Sequence, residues 1–128
     1  MGITTRILKV KKLRAAEQSA EVEFIIDSGA VYSLVPGKVL SALSIEPYRE
    51  VTIALADGTK IKRKVGDAYF ELNGEGAAAP VIFGEEGDEP LLGVTTLEAI
   101  GLVFNPFTRE LYPMRMLLVG LKKNQVNV

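Results

Sequence analysis

The chain has neither cysteine nor histidine among its 128 residues. Without cysteine there is no disulfide, no thiolate nucleophile and no sulfur-ligated metal. Without histidine the Ser-His-Asp and Cys-His mechanisms are closed, and the commonest zinc ligand is missing. Hydrolytic chemistry, if present, falls to carboxylates, hydroxyls, lysines or an oxygen-bound metal. Charge of one sign is also scarce: the net charge of −1 gives no electrostatic argument for nucleic acid or an anionic membrane. No apolar run reaches the roughly 18 residues of a membrane-crossing helix. The N-terminus lacks a basic region followed by a signal-type apolar core, so the cytoplasm is the expected location. Met1-Gly2 with Thr5 is an imperfect myristoylation match, because that motif asks for Ser or Thr one position later.

What is present is the material of one all-β domain. A hydrophobic content of 48% supplies a core, and a domain of this length buries about two-thirds of its unfolded surface without staples. A single domain over 1–128 is expected, with its core at about 3–113 and a tail at about 119–128 that frays around Lys122-Lys123-Asn124-Gln125. Short β-rich runs separated by turn signals dominate. The first runs from Ile3 to Leu13, and its basic stretch Lys9 to Arg14 reads as a solvated strand face. After a turn over Arg14 to Ser19, a strand from Ala20 to Ile26 sets Val22, Phe24 and Ile26 on one face and Glu21, Glu23 and Ile25 on the other. Gly37 to Leu43 suits one or two helical turns. Alternating runs at Val51–Ala56 and Thr59–Val65 flank Asp57-Gly58, which predicts a hairpin closed by a type I′ turn. Strands at Asp67–Leu72 and Pro80–Phe83 are separated by a loose turn at Asn73-Gly74-Glu75-Gly76. The acidic stretch Gly84 to Pro90 lacks the ligand spacing of an EF-hand and reads as a solvated loop. Thr95 with Glu98 fits a capping box and Gly101 a C-terminal stop, so a short helix follows the apolar Leu91-Leu92-Gly93-Val94. Two last strands surround a turn at Asn105-Pro106.

The chemistry centres on Phe24-Ile25-Ile26-Asp27-Ser28-Gly29-Ala30. Asp-Ser-Gly alone is a common turn, since Asp and Ser bond locally and Gly accepts positive φ. Here an apolar strand leads into the carboxylate and the chain stays apolar through Val31 to Pro36. Placing a carboxylate in such surroundings costs stability, which implies a use for it.

Three separated features resemble one family, the retroviral-type (retropepsin-like) aspartic proteases in their single-lobe cellular form. Phe24 to Ala30 resembles the active-site strand, apolar-apolar-Asp-Thr/Ser-Gly-Ala/Ser. Leu91-Leu92-Gly93 resembles the second apolar-apolar-Gly element, which in the family crosses behind that loop and precedes a short helix. Ala54 to Thr59 lies where the family has its flap, with Ala56, Asp57 and Gly58 as the candidate tip. The resemblance, from about Val22 to Tyr112, implies a closed β-barrel-like acid-protease fold with one or two short helices. It implies a peptide or protein substrate and no cofactor or metal.

Such proteases need two carboxylates about 3 Å apart sharing one proton. One motif in a chain this short implies a homodimer, with Asp27 contributed by each subunit across a two-fold axis. One Asp27 would activate water as general base while its protonated partner polarises the scissile carbonyl, the pair titrating as a unit. By the same resemblance Ser28 would bond across the dimer and Gly29 would let backbone approach the carboxylate. Ala30 lacks the hydroxyl of pepsin-like members, which implies a less acidic optimum. Gly2 to Val10 and Arg109 to Tyr112 are candidate interface strands, and Val31, Leu55, Ile82 and Val94 candidate subsite walls. Two other readings stay open: a dimeric peptide-binding module of the same fold without turnover, and an unrelated β-barrel or sandwich in which Asp27 only caps a turn.

Overall fold

The computed structural model describes residues 3–115. Both the myristoylation-like Met1-Gly2 and the expected tail at 119–128 lie outside that range. Nine strands and two short helices follow one another: β1 (Thr5–Lys11), β2 (Ala20–Ile26), β3 (Ser33–Pro36), α1 (Gly37–Ala42), β4 (Arg49–Ala54), β5 (Lys60–Leu72), β6 (Glu75–Gly84), β7 (Leu91–Leu92), α2 (Val94–Ile100), β8 (Leu102–Asn105) and β9 (Glu110–Pro113). No helix among the described residues is long and apolar enough to cross a membrane.

Seven strands form one sheet in the order β1-β2-β7-β3-β6-β5-β4, and β1 also pairs with β5, which closes the sheet into a barrel. That closure joins Lys9, Val10 and Lys11 to Glu71, Phe70 and Tyr69 in antiparallel register. Most neighbours are antiparallel, but β7 runs parallel to β2 and β6 parallel to β3. The two-residue β7 is thereby wedged between the strand that ends at Asp27 and the strand that leaves the Asp27 loop.

Period-two alternation builds the interior. Val22, Phe24 and Ile26 of β2 face inward, as do Leu8 and Val10 of β1. They meet Phe70, Val81, Leu92, Leu40 and Leu97 from the other strands and both helices. At the centre the rings of Phe24 and Phe70 lie 6.1 Å apart, tilted by 57°, a separation at which aromatic edges and faces attract. Lys9, Lys12 and Arg14 are exposed, but Lys11 is half-buried beside Glu71 at 3.6 Å and the strand ends there, so only part of the basic stretch is a solvated strand face.

Besides the added strand β3 and a β6 that begins at Glu75, local structure departs from the sequence expectation in four places. First, the runs before and after Gly66 belong to a single strand of 13 residues, β5. Its outer half pairs with β4 and its inner half with β6 and β1. Second, the Asn73–Gly76 turn is tight. Leu72 pairs directly with Glu75, and Asn73 and Gly74 take φ of 53° and 84°, the left-handed pair of a two-residue hairpin. Third, the Asp57-Gly58 turn is not type I′, because only Gly58 has positive φ, at 89°. Gly58 N–H donates to the Leu55 carbonyl and Leu55 N–H to the Thr59 carbonyl, which makes a three-residue loop with a glycine bulge. Fourth, α2 has no capping box. It begins at Val94 with Gly93 as N-cap and no side-chain cap, because the N–H groups of Val94 and Thr95 are taken by the carbonyls of Ala30 and Val31. Gly101 ends α2 in the left-handed conformation, as expected.

Candidate active site

Asp27 stands where β2 stops. Its backbone N–H donates to the Leu92 carbonyl at 3.1 Å, so the parallel β2–β7 pairing runs right up to the carboxylate. The chain then turns sharply: Ala30 N–H donates back to the Asp27 carbonyl at 3.0 Å, and Gly29 N–H to Asp27 Oδ1 at 2.9 Å. A backbone donor fixed on one carboxylate oxygen orients the group. The sequence suggested burial in apolar surroundings. Within one chain Asp27 is half-buried, with Ser28 and Gly29 exposed beside it.

The second element locks behind this loop. Val94 N–H reaches the Ala30 carbonyl at 2.9 Å and Thr95 N–H the Val31 carbonyl at 3.0 Å. Gly93 is the pivot. Its backbone is extended, at φ −93° and ψ 171°, so it is not needed for positive φ. A Cβ there would stand 2.6 Å from the carbonyl carbon and oxygen of Tyr32 and 2.8 Å from the Val31 oxygen, closer than packed atoms approach. Only glycine lets the segments cross at this distance. Beneath the crossing, fully buried Ser33 and Thr96 hold their hydroxyl oxygens 2.6 Å apart, and Ser33 Oγ accepts the Gly93 N–H at 2.9 Å.

A groove of about 770 Å³ opens beside this floor. Gly29, Ala30, Val31 and Tyr32 line it from the loop; Val51, Ile53, Leu55 and Ile61 line it from the β4–β5 hairpin; Ile25, Leu34, Ile82 and Leu91 complete an apolar trough. Of the expected subsite walls, Val31, Leu55 and Ile82 lie in the groove and Val94 does not. As the first residue of α2, Val94 is committed to holding Ala30. The wall residues Ile25, Val51 and Ile53 were missed, although alternation in β4 carries a signal for the last two. A second cavity of about 870 Å³ lies among β1, β5, α2 and β9, and none of the catalytic candidates lines it.

The hairpin has its own fixtures. At its tip, Asp57 Oδ1 accepts the Thr59 N–H at 2.8 Å, and this bonding to Thr59 holds the carboxyl below its usual range. Asp57 is thus occupied in shaping a turn. At the base, Arg63 makes a two-pronged contact with Asp88, Nε to Oδ2 at 2.8 Å and Nη2 to Oδ1 at 3.1 Å. Asp88 Oδ2 also accepts the Glu85 N–H, and Arg63 is the main cause of a lowered Asp88 pKa. The acidic loop therefore pins the hairpin arm to the barrel, a role that composition did not reveal.

No protein-family model and no curated protein matches the sequence. Among solved structures, the solution structure of the simian foamy virus (mac) protease is similar, with a TM-score of 0.50 and 20% identity over 73% of this chain and 92% of that one. With its barrel closed by β1 and β5, its wedged β7 and its short helix after Gly93, the chain has the retropepsin-like protease fold.

Proposed function

We propose that the chain is an aspartic endopeptidase that works as a homodimer, acting as one domain on peptide or protein substrates. The observation that carries this reading is a carboxylate oriented by a backbone N–H, on a loop whose Gly29 and Ala30 line an apolar groove and whose Ser28-Gly29 flank is exposed. One such carboxylate is half of a catalytic pair. A second copy across a two-fold axis at Ser28-Gly29 would bring its own Asp27 opposite and cover the exposed flank, with the Ser28 hydroxyls bonding across the axis.

In the pair, one Asp27 is ionised and takes a proton from water as the oxygen attacks the scissile carbonyl carbon. The other is protonated and gives its proton to the carbonyl oxygen, so a neutral tetrahedral diol forms. Collapse then breaks the C–N bond as the amine nitrogen takes a proton from the first carboxyl. The second carboxylate recovers a proton from the diol. The trough suits an extended peptide with apolar side chains, and the β4–β5 hairpin would serve as the flap. Tip residues Ala56, Asp57 and Gly58 supply its shape, without an acid function for Asp57.

The test is cleavage of a peptide library with and without a statine-type transition-state analogue, with Asp27→Asn as control. The wild type should cleave at mildly acidic pH, and the analogue should block it. Asp27→Asn should lose more than about a hundredfold in kcat, the scale of acid–base catalysis, while folding and dimerising normally. Cleavage that persists in Asp27→Asn, or a stable monomer at high concentration, sinks this mechanism. A dimer inert on varied peptides would make the fold a peptide-binding module instead.

A further inference from the structure

Ser33 and Thr96 are the only buried polar side chains among the described residues. A buried hydroxyl costs stability unless bonded, and an Ala–Val pair would occupy similar space with no polar atom. These hydroxyls sit behind the Asp27 loop, which suggests what the polar pair is for.

Four contacts join the loop to the segment behind it. Asp27 N–H donates to the Leu92 carbonyl at 3.1 Å, Val94 N–H to the Ala30 carbonyl at 2.9 Å, and Thr95 N–H to the Val31 carbonyl at 3.0 Å. The fourth is Gly93 N–H to Ser33 Oγ at 2.9 Å. Three of them are backbone to backbone and indifferent to side-chain identity. Only the fourth depends on a side chain, and Thr96 Oγ1, 2.6 Å away, fixes the rotamer that presents it. Gly93 has no slack to find another acceptor, because Tyr32 and Val31 crowd it.

We infer that Ser33, held by Thr96, is the positioning residue that fixes the Asp27 loop against Leu92–Thr95 and so sets the direction of the catalytic carboxylate. Ser33 does not touch substrate; it acts through Gly93 and the loop. The catalytic consequence rests on the protease reading above, whereas the effect on the loop does not.

The experiment compares Ser33→Ala, Thr96→Val and the double variant with wild type. It reads kcat and KM on a cleaved peptide, the urea midpoint, and amide hydrogen exchange at Gly29 and Ala30. Ser33→Ala should lower kcat at least about tenfold with little change in KM, the mark of a misdirected catalytic group. Exchange at Gly29 and Ala30 should accelerate. Thr96→Val keeps the acceptor for Gly93 but frees its rotamer, so it should lose stability and lower kcat by less than Ser33→Ala does. The double variant leaves one fewer buried group unbonded than Ser33→Ala, so it should be the more stable of the two yet equally slow. It also carries the comparison if Ser33→Ala does not fold. A kcat that simply tracks the urea midpoint across the set, or wild-type kcat and exchange without the Ser33 hydroxyl, overturns the inference. If the wild type cleaves nothing, the protease reading fails separately. Exchange at Gly29 and Ala30 then still decides whether Ser33 holds the loop.

Discussion

A methyl group placed on Gly93 would stand 2.6 Å from the Tyr32 carbonyl, whereas one placed on Gly58 would meet no atom within 4 Å. Both glycines belong to the region around one groove, Gly93 in the floor beneath Asp27 and Gly58 at the tip of the hairpin. In the floor, four contacts, two buried hydroxyls and a glycine with no free space leave one arrangement of the loop. In the hairpin, Ala54 to Lys60 are exposed, and order rests on local turn bonds and the Arg63–Asp88 contact near the base. The difference is what the proposed peptide hydrolysis asks for. A catalytic carboxylate gains from preorganisation, whereas a roof must move aside to admit an extended chain.

The largest effect is expected of Gly93→Ala. The added Cβ collides with backbone, which cannot swing away as a side-chain end would. Stability should fall by about 3 kcal/mol, the upper part of the range for overpacked sites, with cleavage lost in the remaining folded protein. Urea unfolding and a peptide assay read the two effects. A variant of wild-type stability would show that the floor yields and that its rigidity is illusory.

The two regions also differed in how much the sequence disclosed. Strand β2 ran as read, from Ala20 to Ile26, because its alternation is unbroken and Asp-Ser-Gly stops it. Asp27, Gly93 and α2 were legible for the same reason: a run of one pattern ends at a residue of special shape. The bonds that hold the floor were not legible. They join carbonyls of Ala30 and Val31 to residues more than sixty positions away, and a carbonyl has no identity in a sequence. Ser33 within Tyr-Ser-Leu-Val gives no hint that its hydroxyl is buried. Thr95 and Glu98 look like a capping box, but long-range carbonyls had already satisfied the helix start. In the hairpin the miss was local, since Asp-Gly serves a two-residue and a three-residue loop equally well. Strand β5 was split in two because Val65 and Gly66 are both buried where it passes from hairpin to barrel, which breaks the alternation.

A smaller effect is expected where the hairpin meets the barrel. Asp88 is held below its usual pKa of 3.8, first by the hydrogen bond from Arg63. A carboxylate with a depressed folded pKa adds stability that is fully present above the unfolded value and is lost as pH falls through the folded one. Arg63→Gln should therefore cost about 1 kcal/mol near neutrality, as expected for a partly exposed two-pronged pair. The gap between variant and wild type should narrow once pH drops below 3.8. Urea midpoints at pH 7 and in the acid range make the measurement. A gap independent of pH would mean that Arg63 stabilises the hairpin by packing, not through the Asp88 charge.

The smallest effect belongs to the tip. Gly58 has a φ of +89° and open space around its missing Cβ, so Gly58→Ala meets no obstacle but its own backbone. Alanine in that region costs about 1 kcal/mol. Where that cost appears depends on whether tip and floor unfold together. If the tip opens on its own, the strain lowers the cost of that local opening as well as that of global unfolding. The Gly58 and Leu55 amides, bonded to the Leu55 and Thr59 carbonyls, should then exchange about fivefold faster. Peptide cleavage should retain its kcat, because the floor is untouched. If the tip amides exchange only with global unfolding, as well protected as those around Asp27, the hairpin and the floor are one cooperative unit, and the contrast between a fixed floor and an independent roof fails.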